Sequence, residues 1–206
     1  MNVPDDIANG FLPYNAEAPL LRTRYAVIPF SDRHLLFKKY YPAKPALILD
    51  VGSGIGVDAK GFADLGHTVV AVEPADEMRR LAMMDNDHEN ITWIADYLPT
   101  LEKVTTQKLS FDFILASASF MHLNAVRALQ GFESLSNLLT QHGHLAMSLR
   151  HGPVPEGRTM FDISPEVAQG LSEIAGLRVV DHTEGAGQKN VPGVTWSNMV
   201  FVKDPD

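Results

Sequence analysis

The sequence predicts an α/β fold: a three-layer sandwich whose seven-stranded, mostly parallel sheet ends in an antiparallel last strand. Three observations carry this. Short apolar runs alternate with amphipathic stretches from Ala46 onward, which puts helices on both faces of a parallel sheet. The first run leads straight into a glycine loop, Asp50-Val51-Gly52-Ser53-Gly54-Ile55-Gly56, and an acid, Glu73, closes the second run. The last two runs are joined by a loop of roughly ten residues with no crossover helix, so they must pair antiparallel.

Residues 1–45 read as an N-terminal arm and helix, and residues 46–206 as a core. In the arm, prolines at 4, 13, 19 and 29 are expected to break any long element. Its Phe11, Tyr14, Tyr25 and Phe30, with Arg22 and Arg24, do not suit a flexible tail, and a lid over a ligand is the expectation. Ser31 can cap a helix over Asp32 to Tyr41, stopped by Pro42. Strands are predicted at 46–51, 67–72, 91–95, 111–116, 143–149, 177–183 and 194–202. Helices are predicted at 55–65, ending at Gly66, and at 76–84. A longer one over 124–139 carries Leu129, Phe132, Leu135 and Leu139 at helical spacing. The last is opened by Ser164-Pro165-Glu166 and closed by Gly176.

Composition narrows the function classes. The formal charge of -8 repels phosphate backbones, and no Lys/Arg run offsets it, so nucleic acid is not an expected partner. The chain has no cysteine, which removes disulfides, thiolate metal sites and a cysteine nucleophile. No paired-histidine metal spacing appears, and no metal is expected. The first residues hold early acids and no apolar run, and no stretch of 18 apolar residues occurs. The expectation is a cytoplasmic protein without signal peptide or membrane span.

The glycine spacing selects the ligand. A dinucleotide loop of the form G-x-G-x-x-G would place its third glycine at position 57, which is Val57. Here the glycines fall at 52, 54 and 56, two residues after Asp50. The pattern resembles motif I of the class I S-adenosylmethionine-dependent methyltransferases, D/E-x-G-x-G-x-G, and the resemblance runs from about Leu47 to Val202. It implies a Rossmann-like core, S-adenosyl-L-methionine as cofactor and S-adenosyl-L-homocysteine as product. It further implies that Gly52, Ser53, Gly54 and Gly56 wrap the methionine and ribose, braced by Asp50. Glu73 would accept the ribose hydroxyls, and Pro74 would wall the adenine. Asp96 would accept from the adenine amino group, with Tyr97 packed near the ring and Ser117 beneath the cofactor. Plainer readings exist: Glu73 as an acid at a helix N-terminus, Asp96 as an N-cap.

Methyl transfer is a displacement in which positioning supplies most of the acceleration, so no catalytic side chain is obligatory. His122 is the candidate proton acceptor, with a structural histidine as its alternative. Tyr25, Arg150, His151 and Arg158 are candidates for binding an acceptor, expected to be a small molecule. An NAD-dependent oxidoreductase or epimerase and a non-catalytic S-adenosylmethionine-binding module are the rival readings.

Overall fold

Residues 3–186 and 191–203 are described by the structure, a computed structural model. The chain opens with a 22-residue helix, α1 (Asp5–Ala26), and two 3-10 turns, Phe30–Asp32 and Phe37–Tyr40. Alternation then begins: β1 (Leu47–Val51), α2 (Val57–Asp64), β2 (Thr68–Val72), α3 (Asp76–Asp85) and β3 (Ile91–Ile94). It continues with α4 (Glu102–Thr105), β4 (Phe111–Ser117), α5 (Ala125–Leu138), β5 (Leu139–His151) and α6 (Pro165–Ile174). β6 (Leu177–Ala186) and β7 (Thr195–Lys203) complete it.

The strands form one sheet in the order β3-β2-β1-β4-β5-β7-β6. β7 runs antiparallel to both β5 and β6, while β1, β2, β3, β4 and β5 pair in parallel. This is the seven-stranded Rossmann-like sheet that the sequence predicts. Strand alternation sorts side chains between two cores. Ile48, Val69, Ala71, Phe113 and Leu115 face α2, whereas Leu49, Val70, Val72, Ile114 and Ala116 face α5. β1 lies between β2 and β4, so the chain reverses its winding there and leaves a crevice at the carboxyl ends of the strands.

Three predicted elements differ. The arm is a continuous helix despite Pro13 and Pro19. Each internal proline costs about 3 kcal/mol of helix stability. The offset is an apolar stripe: Ile7, Ala18 and Leu21 are buried, and Phe11, Tyr14 and Tyr25 pack beside them on Ile55, Ala75, Met78 and Leu81. α3 is tied to this helix directly. Asn15 Oδ1 accepts from the Glu77 amide at 2.8 Å, and Arg22 grips Asp85 through two hydrogen bonds of 2.5 and 2.6 Å. The helix predicted over Asp32–Tyr41 is two separate 3-10 turns, because His34 between them takes a left-handed backbone, φ +50°. β5 also begins four residues earlier than expected, at Leu139. Among the described residues, no helix is long and apolar enough to cross a membrane.

Gly56 shows why the loop after β1 needs glycine. Its φ is +79°, and a Cβ there would lie 2.4 Å from the Trp93 ring. Gly56→Ala is therefore expected to destabilise the protein by about 2 kcal/mol or more, measured by urea unfolding.

Candidate functional site

The loop after β1 is pinned to β2 before any ligand is considered. The amides of Gly52 and Ser53 both donate to the Val72 carbonyl, at 2.8 and 2.9 Å. The next residue, Glu73, is buried, and its two carboxylate oxygens are divided. Oε2 accepts from the Gly54 amide and Oε1 from the Ala75 amide, each at 2.8 Å. One side chain thus fixes both the glycine loop and the start of α3, and each oxygen keeps a lone pair for a ligand. Burial pushes the Glu73 carboxyl up to about 7, against the pull of the Ala75 and Gly54 amides and of Arg79.

Two further buried acids stand near this loop. Burial, then the like charges of Asp58 and Glu73, hold the Asp50 carboxyl well above the usual range. Asp58 belongs to the first turn of α2. Burial works to raise its carboxyl, but His34 Nε2, 3.2 Å away, and Arg33 outweigh that and lower it. Asp50 Oδ2, Asp58 Oδ1 and Ser53 Oγ are buried with no hydrogen-bond partner among the described residues. Asp96 is buried too, and its carboxylate caps α4. It accepts from the amides of Tyr97, Lys103 and Val104 at 2.9, 2.8 and 3.1 Å.

A cavity of about 750 Å³ runs along the carboxyl ends of β1, β2 and β4, with α1 as one wall. Its other end is built by His122 and the segment before α6. His122 Nδ1 donates to the Thr159 carbonyl at 3.0 Å, which leaves Nε2 to accept from the Tyr14 hydroxyl at 3.1 Å. Burial, assisted by Arg158, lowers the imidazole pKa, with the Thr159 bond opposing, so the ring is neutral near pH 7. Arg158 lies over the Tyr14 ring, 3.5 Å from its centroid, and pairs with Glu17 at 3.2 and 2.6 Å. Its Nη1 is buried without a hydrogen-bond partner among the described residues. The Tyr14 and Tyr25 hydroxyls are both shifted upward, burial being the main cause.

The chain is similar to known proteins of one kind. Residues 48–143 match a family model described as "Methyltransferase domain". An uncharacterised methyltransferase of Alkaliphilus oremlandii is 32% identical over 111 residues, 51% of this chain and 46% of the relative. Over residues 48–143 the chain is thus similar to methyltransferase domains, and it has the fold of solved S-adenosylmethionine-dependent methyltransferases. The match covers about half the length of that curated relative. Solved structures share the fold. The 1,6-didemethyltoxoflavin-N1-methyltransferase of Burkholderia thailandensis, crystallised with 1,6-didemethyltoxoflavin and S-adenosylhomocysteine, superposes with a TM-score of 0.72 at 17% identity, over 100% of this chain and 92% of that one. A methyltransferase from Methanosarcina mazei gives 0.68 at 12% identity, over 84% and 99%. A 4+2 cyclase, SpnF, gives 0.74 at 11% identity, over 100% and 98%. At such identities the likeness is one of fold.

In this methyltransferase fold the cavity gathers most of the residues singled out from sequence. Asp50, Gly52, Ser53 and Gly54 line it with Glu73 and Pro74. Asp96, Tyr97 and Ser117 line it further along, as do Tyr25, His122, Arg150 and Arg158. Gly56 lies behind the wall against Trp93, where its part is to let the loop turn. His151 is not in the lining. Its Nδ1 bonds Asp162 at 2.6 Å and its Nε2 bonds Ser197 at 2.8 Å, a Ser–His–Asp arrangement whose serine is buried and lies outside the cavity. Arg150 bends back to the Gly152 and Pro153 carbonyls. Sequence reasoning missed Arg33, His34, Asp58 and Glu17. Asp58 looks like an ordinary first-turn acid, Glu17 lies in the arm that the prolines are expected to break, and Arg33 and His34 fall inside the helix expected over Asp32–Tyr41 as unremarkable polar residues.

The Glu73 titration has a consequence for stability. The unfolded carboxyl titrates near 4.5 and the folded one near 7, so the native state keeps the proton longer. The stability this supplies is full below about pH 4.5 and is lost as pH rises through 7. Between pH 4.5 and about pH 8, urea unfolding should show wild type losing about 3 kcal/mol more than Glu73→Gln.

Proposed function

We propose that this chain binds S-adenosyl-L-methionine and transfers its methyl group to a small-molecule acceptor, releasing S-adenosyl-L-homocysteine. One observation carries the reading. A single cavity brings the glycine loop together with four buried carboxyls, Asp50, Asp58, Glu73 and Asp96. Such a wall suits a nucleoside with a cationic group and opposes a pyrophosphate. Asp58 stands in the first turn of α2, where a dinucleotide's phosphates would rest, and Val57 takes the place of the third glycine. Both disfavour NAD.

The residues fit the cofactor on their own chemistry. Gly52 has φ +73°, and a Cβ there would meet Ser119 Cβ at 3.1 Å, so the loop presents bare backbone. Gly52, Ser53 and Gly54 would hold the methionine and ribose portion, with Gly56 allowing the turn and Asp50 bracing it. Glu73 would accept the ribose hydroxyls through its remaining lone pairs, and Asp96 would meet the adenine edge between Pro74 and Tyr97. Ser117, bonded to Ser148 Oγ at 3.2 Å, would form the floor. When bound, the cofactor supplies a methyl group on a positively charged sulfur that leaves as a neutral thioether. Bringing the reactants together is the protein's main contribution, worth about 7–11 kcal/mol.

Tyr14, Tyr25, Arg150 and Arg158 would shape the acceptor end, and His122 Nε2 would take a proton from the acceptor through Tyr14. α1 would act as a lid on the core that begins at residue 46. Enclosure by this helix, rather than an open groove, supports a small acceptor, and the Burkholderia thailandensis relative in fold carries one.

Calorimetric titration of the full chain tests the reading. S-adenosylhomocysteine should give saturable heat and NAD none at millimolar concentration. Glu73→Ala should weaken S-adenosylhomocysteine by about 10- to 100-fold, the cost of losing charge-assisted bonds to the ribose. Binding of NAD with no heat from the adenosyl thioether overturns it.

A further inference from the structure

Arg33 joins the cofactor end of the cavity to α1. Its Nε donates to the Ile28 carbonyl at 2.9 Å and its Nη2 to the Tyr25 carbonyl. The Tyr25 carbonyl belongs to the last turn of α1, where helical acceptors lack internal partners, and Ile28 directly follows the C-cap Val27. The side chain is 17% exposed and lines the cavity beside Asp50, Ser53 and Asp58. Its remaining edge is poorly used: Nη1 reaches Asp58 Oδ2 only at 3.5 Å, the limit of a hydrogen bond. On the same wall, Asp50 Oδ2 and Asp58 Oδ1 are buried and unpartnered.

A guanidinium edge beside two unfilled carboxylate oxygens is the complement of a zwitterion. A carboxylate would take the weakly bonded edge of Arg33, and an ammonium would take the aspartate oxygens, with no change in net charge. We propose that Arg33 receives the carboxylate of an adenosyl amino acid and, through the Tyr25 and Ile28 carbonyls, fastens α1 over the bound molecule. The inference rests on the cofactor reading above and adds to it an order of assembly. α1 carries Tyr14 and Glu17, which hold His122 and Arg158 at the acceptor end. The acceptor end is therefore set firmly only after the amino-acid end of the cofactor is in place. A nucleoside lacking that end binds the ribose and adenine residues but leaves α1 loose.

Hydrogen exchange and calorimetry with two probes test this on the full chain: S-adenosylhomocysteine, and 5′-methylthioadenosine, which lacks the amino acid. In wild type, S-adenosylhomocysteine should bind at least about tenfold tighter and protect the amides of residues 5–26, while 5′-methylthioadenosine at equal saturation leaves them unprotected. In Arg33→Gln the S-adenosylhomocysteine affinity should fall about tenfold and the protection vanish. Binding of 5′-methylthioadenosine should stay within about twofold, which also certifies the fold of the variant. Arg33→Lys should recover part of the affinity but not the protection, because one ammonium cannot serve the Tyr25 and Ile28 carbonyls and a ligand as the fork does. Equal protection by both probes, or full S-adenosylhomocysteine affinity in Arg33→Gln, overturns the proposal. Wild type that binds neither probe overturns the cofactor reading beneath it.

Discussion

The shape of the site depends on one buried carboxylate. Glu73 ends β2, and its two oxygens take the Gly54 and Ala75 amides, so the glycine loop and the first turn of α3 share an anchor. Neither segment has a side-chain cap of its own at that point. The sheet delivers the carboxylate there: β1 and β2 are in register from Leu47–Thr68 to Val51–Val72, which brings their ends level. Hydrogen bonds to a charged acceptor are stronger than neutral ones, but burial opposes the charge. The balance leaves a group that titrates near neutrality.

The same balance recurs around the cavity. Asp50 and Asp58 are buried a few residues from the glycines, and Arg33 and His34 face them from the segment after α1, with the Tyr41 phenol near both. At the other end the arrangement is inverted. Arg158 is 7% exposed, covered by the Tyr14 ring and paired to Glu17 on α1. One end of the cavity is therefore acidic and lacks enough cations, while the other is a neutralised pair beside a neutral imidazole. A chain with a formal charge of -8 would repel most anions in any case, but the local pattern is sharper than the average.

The sheet was legible because its strands are apolar runs bounded by glycine, proline and acids, and parallel burial demands such runs. The cofactor end was legible for a related reason. Asp50, the glycines, Glu73 and Asp96 all sit at strand ends, so finding the strands locates them. The arm was not legible. Its stripe of Ile7, Phe11, Tyr14, Ala18, Leu21 and Tyr25 repeats every three or four residues, but Pro13 and Pro19 interrupt it and local rules read prolines as breaks. The stripe decides because α3 and the glycine loop provide a surface to bury it, which no local rule can see. Arg33 and Asp58 were illegible for another reason. They are 25 residues apart, and only tertiary packing, with His34 in a left-handed backbone beside Arg33, brings them together.

α1 is held differently from the rest of the molecule. Strands β1 and β4 are bonded on both edges and buried on both faces, whereas α1 is buried on one stripe and otherwise secured by side chains. Arg22–Asp85 and Arg127–Asp6 are largely exposed pairs, of a class worth about 0–1 kcal/mol each. Its two prolines withhold two backbone donors, which further lowers the cost of opening it. Elements that open most easily are those with few buried contacts and bonds that water can replace. A wall built this way admits a ligand without disturbing the sheet. What the helix lacks in its own hydrogen bonds is made up at its carboxyl end by Arg33, which belongs to the cavity as much as to the helix.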